Sequence, residues 1–265
     1  IGAPTAAAHE TAGRAFAEHA NVTPTVAGWS ELAEAQILEL QFGQMHADPG
    51  IHPMSGRLLT EPDALCDVTM DWGPAVDAAS LPVPPFEAWS AGFTNRVPVL
   101  LGATADEFMM PALAPSPRET MDWLQAVPFD ARLRAHALEQ LSNGSADPIG
   151  RIATTVMFRR NVLRIADARR AGGAQVWTYD FRYVSSVSGV SGHCIELPFT
   201  WDCLSDPHAI KMIGADMPQE LADAMHGAWV KFMHDGDPGW VEGTGRVFGG
   251  SHPELVAFAD VAELA

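Results

Sequence analysis

Six residues constrain this chain more than any others: Val97-Pro98-Val99-Leu100-Leu101-Gly102, a continuous apolar run that closes on glycine. A run this short, with no polar residue to turn toward water, fits a strand buried on both faces of a parallel sheet. A second strand is expected at residues 175–181, Gln175-Val176-Trp177-Thr178-Tyr179-Asp180-Phe181. Between the two lie helical stretches at 118–126 and 131–141, then a longer helix over 152–170 that Gly172-Gly173 stops. Strands joined by long helical connections imply an α/β class with a mainly parallel sheet.

The flanking regions are also patterned. Residues 9–19 read as a helix with Ala12, Phe16 and Ala20 on one face, and residues 31–41 as a second, with Leu32, Ile37 and Leu40 apolar. The passage 48–85 is rich in proline and glycine and reads mostly as loop. Toward the C-terminus a clear helix is expected, with Asp216 as N-cap, Pro218 in its first turn, and Gly236 with Pro238 at its end. Leu221, Ala224, Met225, Ala228, Trp229 and Phe232 form one apolar stripe along it, which is a core-packing pattern.

Composition narrows the function classes. Hydrophobic residues make up 47% of the 265 and charged residues 18%, which suits a folded core rather than disorder. No apolar run approaches the length of a membrane span. The net charge of −17, from 16 basic and 33 acidic residues, argues against nucleic acid or an anionic membrane as partner. Cys66, Cys194 and Cys203 form no CxxC pair and no zinc-knuckle spacing. Their odd number points to a reducing, cytoplasmic compartment, while a Cys194–Cys203 bridge stays open. The ten histidines form no H-E-x-x-H and no tight cluster at ligand spacing, so metal-assisted hydrolysis fits poorly and no cofactor is expected.

In open α/β sheets, functional groups gather on loops past the carboxyl ends of strands. Past the first strand comes Ala103-Thr104-Ala105-Asp106-Glu107-Phe108. Past the second, a small-residue loop, Ser185-Ser186-Val187-Ser188-Gly189-Val190-Ser191-Gly192, delivers His193. Asp106 and Glu107 also fit carboxylates at a helix start, and a lone loop histidine is commonly a surface residue. An acid followed by a histidine, each after a strand, is nevertheless the back half of the order Ser, acid, His.

Longer segments add a resemblance. Leu100-Leu101-Gly102-Ala103-Thr104-Ala105-Asp106-Glu107 resembles the type-B carboxylesterase segment that ends in Asp-Glu-Gly and supplies the triad glutamate. Gly192-His193-Cys194-Ile195-Glu196-Leu197-Pro198-Phe199 is similar to that family's His-x-x-Glu-Leu-Pro-Phe segment. Ala228-Trp229-Val230-Lys231-Phe232 with Gly236-Asp237-Pro238 resembles a third signature, and Gly2-Ala3-Pro4 matches a segment a short way beyond the family's nucleophile. Phe108 stands where the family usually has glycine, and Ala78 where Val-Asp-Gly is expected after Val76-Asp77.

This resemblance implies that residues 1–265 are the C-terminal portion of a single α/β-hydrolase domain. Glu107 would be the acid and His193 the base, with the serine elbow and oxyanion loop lying upstream of Ile1. The implied partners are a small-molecule ester and the N-terminal part of the same enzyme. Ser30, Ser191 and Ser251 lack the second glycine of Gly-x-Ser-x-Gly. Ser90, in Ala88-Trp89-Ser90-Ala91-Gly92, comes nearer but follows no apolar strand. Glu196 reads as a structural partner of the histidine, and Phe108, Met109, Met110, Pro111 and Trp123 as an apolar wall or as ordinary core. The alternative class is a non-catalytic binding module of the same fold, which would have no need for Glu107 or His193.

Overall fold

The computed structural model describes residues 3, 5–45, 74–77, 79–93, 96–109, 114, 116–126, 131–250 and 256–259. Two compact units divide the chain, Ile1–Glu87 and Ala88–Ala265.

In the first unit, α1 (Ala6–His19) starts three residues earlier than its apolar pattern predicts. The Thr5 hydroxyl supplies the reason, since it accepts a 3.2 Å hydrogen bond from the Ala8 N–H and caps the helix. A short α2 (Val26–Trp29) follows, and its Trp29 stacks on Phe16 with ring centroids 5.0 Å apart. The helix expected at 31–41 is α3 (Glu34–Met45), shifted because Gln36 Oε1 accepts from the Ala33 N–H at the start. Residues 48–73 of the expected proline- and glycine-rich loop, with Cys66, lie outside the described residues, as do Gly2, Pro4 and Ala78. Asp77 folds its neighbours into a turn, its carboxylate accepting from the N–H groups of Ala79, Ser80 and Leu81. Those bonds, with the Ser80 hydroxyl, hold its carboxyl well below the usual carboxylate range.

The division falls inside α4 (Pro85–Ser90). The second unit then runs β1 (Val99–Thr104), α5 (Pro117–Ala126), α6 (Ala131–Ser142) and α7 (Pro148–Thr154). A five-residue π-helical turn, Thr155–Arg159, leads directly into α8 (Arg160–Ala171). After β2 (Val176–Phe181) come α9 (Leu197–Thr200), α10 (Pro207–Ile213), α11 (Gln219–Asp235) and β3 (Gly245–Phe248).

The three strands form one parallel sheet in the order β1-β2-β3. Val99 pairs with Val176 and Thr104 with Phe181, so β1 and β2 end level and their outgoing loops leave side by side. Gly102 is required at its place: a Cβ there would meet the Tyr179 carbonyl and ring within 2.5 Å.

Three sequence expectations need correction. Val99, Leu100, Leu101 and Gly102 are only partly buried, and β1 has one partner strand among the described residues; Ala103 and Thr104 alone are buried. Asp216 does not cap α11. Pro218 occupies the cap, and the Asp216 carboxylate accepts instead from the Ser186 hydroxyl at 2.6 Å. Strand β3 was not anticipated, because Gly245-Arg246-Val247-Phe248 carries no apolar run. Its alignment comes from pairing with β2, a contact remote in sequence.

The apolar stripe of α11 packs as its spacing demands. Met225 and Ala228 are buried in a cluster with Phe181, Ile195, Phe199, Ile213 and Phe248, against which Leu221, Ala224 and Trp229 lie. Each large side chain so buried contributes on the order of 1.5–3 kcal/mol. Gly236 ends the helix in a left-handed conformation at φ 72°, where a residue with a Cβ would be strained. On the other side of the sheet, Val162 and Ala166 of α8 pack against Ala103, Leu101 and Val176.

Candidate active site

Glu107 sits in the tight turn that leaves β1. Its Oε1 accepts a 2.9 Å hydrogen bond from the Thr104 N–H, the last residue of the strand, so strand end and acid are tied together. Its other oxygen, Oε2, lies 2.6 Å from Nδ1 of His193. A carboxylate can only accept, so the hydrogen belongs on Nδ1 and the lone pair on Nε2. The acid side chain is 6% exposed and the imidazole 58%, so the pair has a buried end and an open end.

The loop carrying the histidine is held at both sides. Ser191 is buried, and its hydroxyl donates to the Phe181 carbonyl at the end of β2. Two residues after the histidine, Ile195 is anchored in the α11 core, with Phe199 one helical turn on. Deeper in the loop, the Ser185 hydroxyl donates to the Ile213 carbonyl and accepts from the Val187 and Ser188 N–H groups.

Two aromatic rings flank the pair. Phe158, from the π-helical turn, lies 5.6 Å from the His193 ring and 5.6 Å from Phe108. The Phe108 N–H donates to the Thr154 hydroxyl at 2.8 Å. Phe108 thus occupies space that glycine would leave empty, and it backs the ring that contacts the imidazole. Met109 is buried, while Met110, Pro111 and the Trp123 side chain lie outside the described residues.

The surroundings of the pair disfavour further negative charge. Burial and the neighbouring Glu107 charge push the Glu196 carboxyl up from its ordinary value, and its buried Oε2 has no hydrogen-bond partner among the described residues. Burial, Glu196 and Glu107 together raise the Tyr179 phenol and, less deeply buried, the Cys194 thiol. Cys194 and Cys203 are both free thiols, so no bridge joins them. Cys194 sits at φ 65°, a left-handed turn that helps re-aim the chain just past the histidine.

The structure brings Glu107 and His193 together, with Glu196 beside them. Ser90 is elsewhere in kind: an exposed residue ending a helix, with no strand leading into it. Among the described residues, no group of three or more His, Cys, Asp or Glu could hold a metal ion, and no helix is long and apolar enough to cross a membrane. The reading of the sequence missed Phe158, Arg151 and the second use of Asp106, which salt-bridges Arg151 at 3.1 Å. Asp106 was signalled by its place beside Glu107; the other two carry no local signal.

The chain is 29% identical over 180 residues to phenmedipham hydrolase of Pseudarthrobacter oxydans, across 62% of this chain and 35% of that protein. To para-nitrobenzyl esterase of Bacillus subtilis it is 26% identical over 234 residues, 82% of this chain and 46% of the esterase. The chain is a relative of the type-B carboxylesterases, over their C-terminal part. Its fold is that part of the α/β-hydrolase fold. The Geobacillus stearothermophilus carboxylesterase EST55 superposes with a TM-score of 0.58 at 23% identity, over 90% of this chain and 46% of that one. A para-nitrobenzyl esterase structure gives 0.60 at 19%, over 87% and 46%. The chain therefore spans less than half the length of these relatives. No family profile matches it.

Proposed function

We propose that this chain carries the acid and base of a serine carboxylesterase, Glu107 and His193, and that the nucleophile comes from the portion of the enzyme preceding Ile1. The observation that supports this most is the 2.6 Å contact between Glu107 Oε2 and His193 Nδ1, on loops leaving adjacent parallel strands. In this reading the exposed Nε2 removes the proton of the attacking serine and returns it to the leaving alcohol. Buried Glu107 keeps the hydrogen on Nδ1 and balances the imidazolium that forms. Thr104 N–H, bonded to the other carboxylate oxygen, keeps the acid aimed at the imidazole. Backbone N–H donors of the oxyanion site would come from the same upstream portion as the serine.

The substrate class is a small carboxylic ester; the hydrolase and esterase names of the relatives support it, as does the aromatic wall of Phe158 and Phe108. In the intact protein, His193→Ala is expected to lower kcat on a chromogenic ester by several orders of magnitude. Glu107→Gln should also be severe, because an amide can favour the wrong tautomer. Normal turnover in both variants would show that the pair is structural, and an alanine or glycine at the upstream elbow would favour a binding module.

A further inference from the structure

Asp106 divides its carboxylate between two partners. Oδ2 accepts a 2.9 Å hydrogen bond from the Ser191 N–H, and Oδ1 pairs with Arg151 Nη2 at 3.1 Å. In return, the Asp106 N–H donates to the Ser191 carbonyl at 2.9 Å. The two residues are thus reciprocally bonded, one just before the acid and the other two places before the base. The Phe181 carbonyl reinforces the join by accepting from both the Ala105 N–H, at 2.8 Å, and the Ser191 hydroxyl, at 3.1 Å.

We propose that Asp106 is a positioning residue for the Glu107–His193 pair, latching the acid loop to the histidine loop so that their 2.6 Å contact is preset. The inference rests on the esterase reading. Its basis is mechanical: Glu107 and His193 are 86 residues apart in sequence, and no other side-chain carboxylate among the described residues bonds the backbone of the histidine loop between Ser185 and His193. Arg151 neutralises the buried charge, leaving Oδ2 free for Ser191. A shift of about 1 Å in a catalytic group can lower turnover about a hundredfold.

The test uses the intact protein, with kcat, KM and the proton resonance of the His193 Nδ1–H measured for each variant. Asp106→Ala should lower kcat by about a hundredfold with KM nearly unchanged, and broaden or lose the resonance. Asp106→Asn keeps an acceptor for Ser191 and should restore most of kcat. Asp106→Glu keeps the charge toward Arg151 but displaces the acceptor by a methylene, and should turn over more slowly than Asp106→Asn. If Asp106→Ala does not fold, that order between Asn and Glu decides: Glu faster than Asn means the ion pair alone matters and overturns the proposal. Wild-type kcat in a less stable Asp106→Ala also overturns it. His193→Ala is run alongside. Its inactivity beside a fully active Asp106→Ala rejects the latch while leaving the esterase reading intact, whereas an active His193→Ala removes the reading and the latch together.

Discussion

Glu196 stands three residues from the histidine, with a buried carboxyl oxygen that has no hydrogen-bond partner among the described residues. Its folded-state pKa is raised, first by burial and then by the charge of Glu107. Below the ordinary carboxylate value of 4.5 the group is protonated whether folded or unfolded, and folding carries no penalty from it. Above that value the unfolded chain releases the proton while the native state retains it, so stability falls as pH rises through the native pKa. Glu196→Gln has no proton to release. Its melting temperature should match the wild type at acid pH, exceed it increasingly as pH rises from 4.5 to the raised native pKa, and keep a constant lead above that. Parallel melting curves across pH would show that Glu196 is ionised in the folded protein and solvated. The three-residue spacing of Glu196 from His193 is visible in the sequence, whereas its burial is not.

At the scale of elements, the long helix expected over 152–170 is a helix from Pro148 to Ala171 interrupted by the π-helical turn Thr155–Arg159. One inserted residue rotates the rest of the helix by about 100°, the turn per residue of an α-helix. That rotation carries two consequences. Phe158 reaches the imidazole, and Arg159 turns inward to make two hydrogen bonds with the Asp180 carboxylate of β2, at 2.7 and 3.0 Å. Arg159 Nη1 also donates at 3.2 Å to the carbonyl of Thr104, the same strand residue whose N–H holds Glu107. Arg159 is 1% and Asp180 0% exposed, so the pair stands in a low-dielectric interior. Removing one partner leaves the other charge buried, with a loss on the order of 3–5 kcal/mol. Arg182 and the Phe258 N–H still bond Asp180, so Arg159→Met should fall near the lower figure, about 3 kcal/mol. Urea unfolding of the intact protein measures it. A loss under about 1 kcal/mol would mean that Arg182 and Phe258 suffice.

At the scale of the whole molecule, the described residues by themselves leave one edge of the sheet bare. The β1 edge opposite β2 has no partner among the described residues, and Val99, Leu100 and Leu101 are only partly covered. A bare strand edge with apolar side chains is an aggregation site. Expressed alone, residues 1–265 should show no ester turnover, no labelling by a fluorophosphonate and a broad melt. Supplying the preceding portion of the enzyme should sharpen the melt and restore labelling. A cooperative melt with ester turnover from the isolated chain would refute this and direct the search for a nucleophile to Ser90.

What the sequence determined by itself was whatever depends on near neighbours. The apolar run at Val97–Gly102, the Gly172-Gly173 stop, the left-handed Gly236 and the stripe from Leu221 to Phe232 each report a local preference, and each marks an element that exists within a few residues of its expected place. The order of Glu107 and His193 along the chain belongs to the same class. Tertiary structure alone decided the rest. Strand β3 forms because β2 offers it a ladder, and the Asp216 carboxylate accepts from Ser186, 30 residues away, rather than capping the helix that follows it. The π-helical turn lets Arg159 meet Asp180, and Asp106 finds Ser191 across 85 residues of chain. Hydrogen bonds and ion pairs between distant residues depend on where two backbones meet, and that meeting point is set by the packed core rather than by any local pattern.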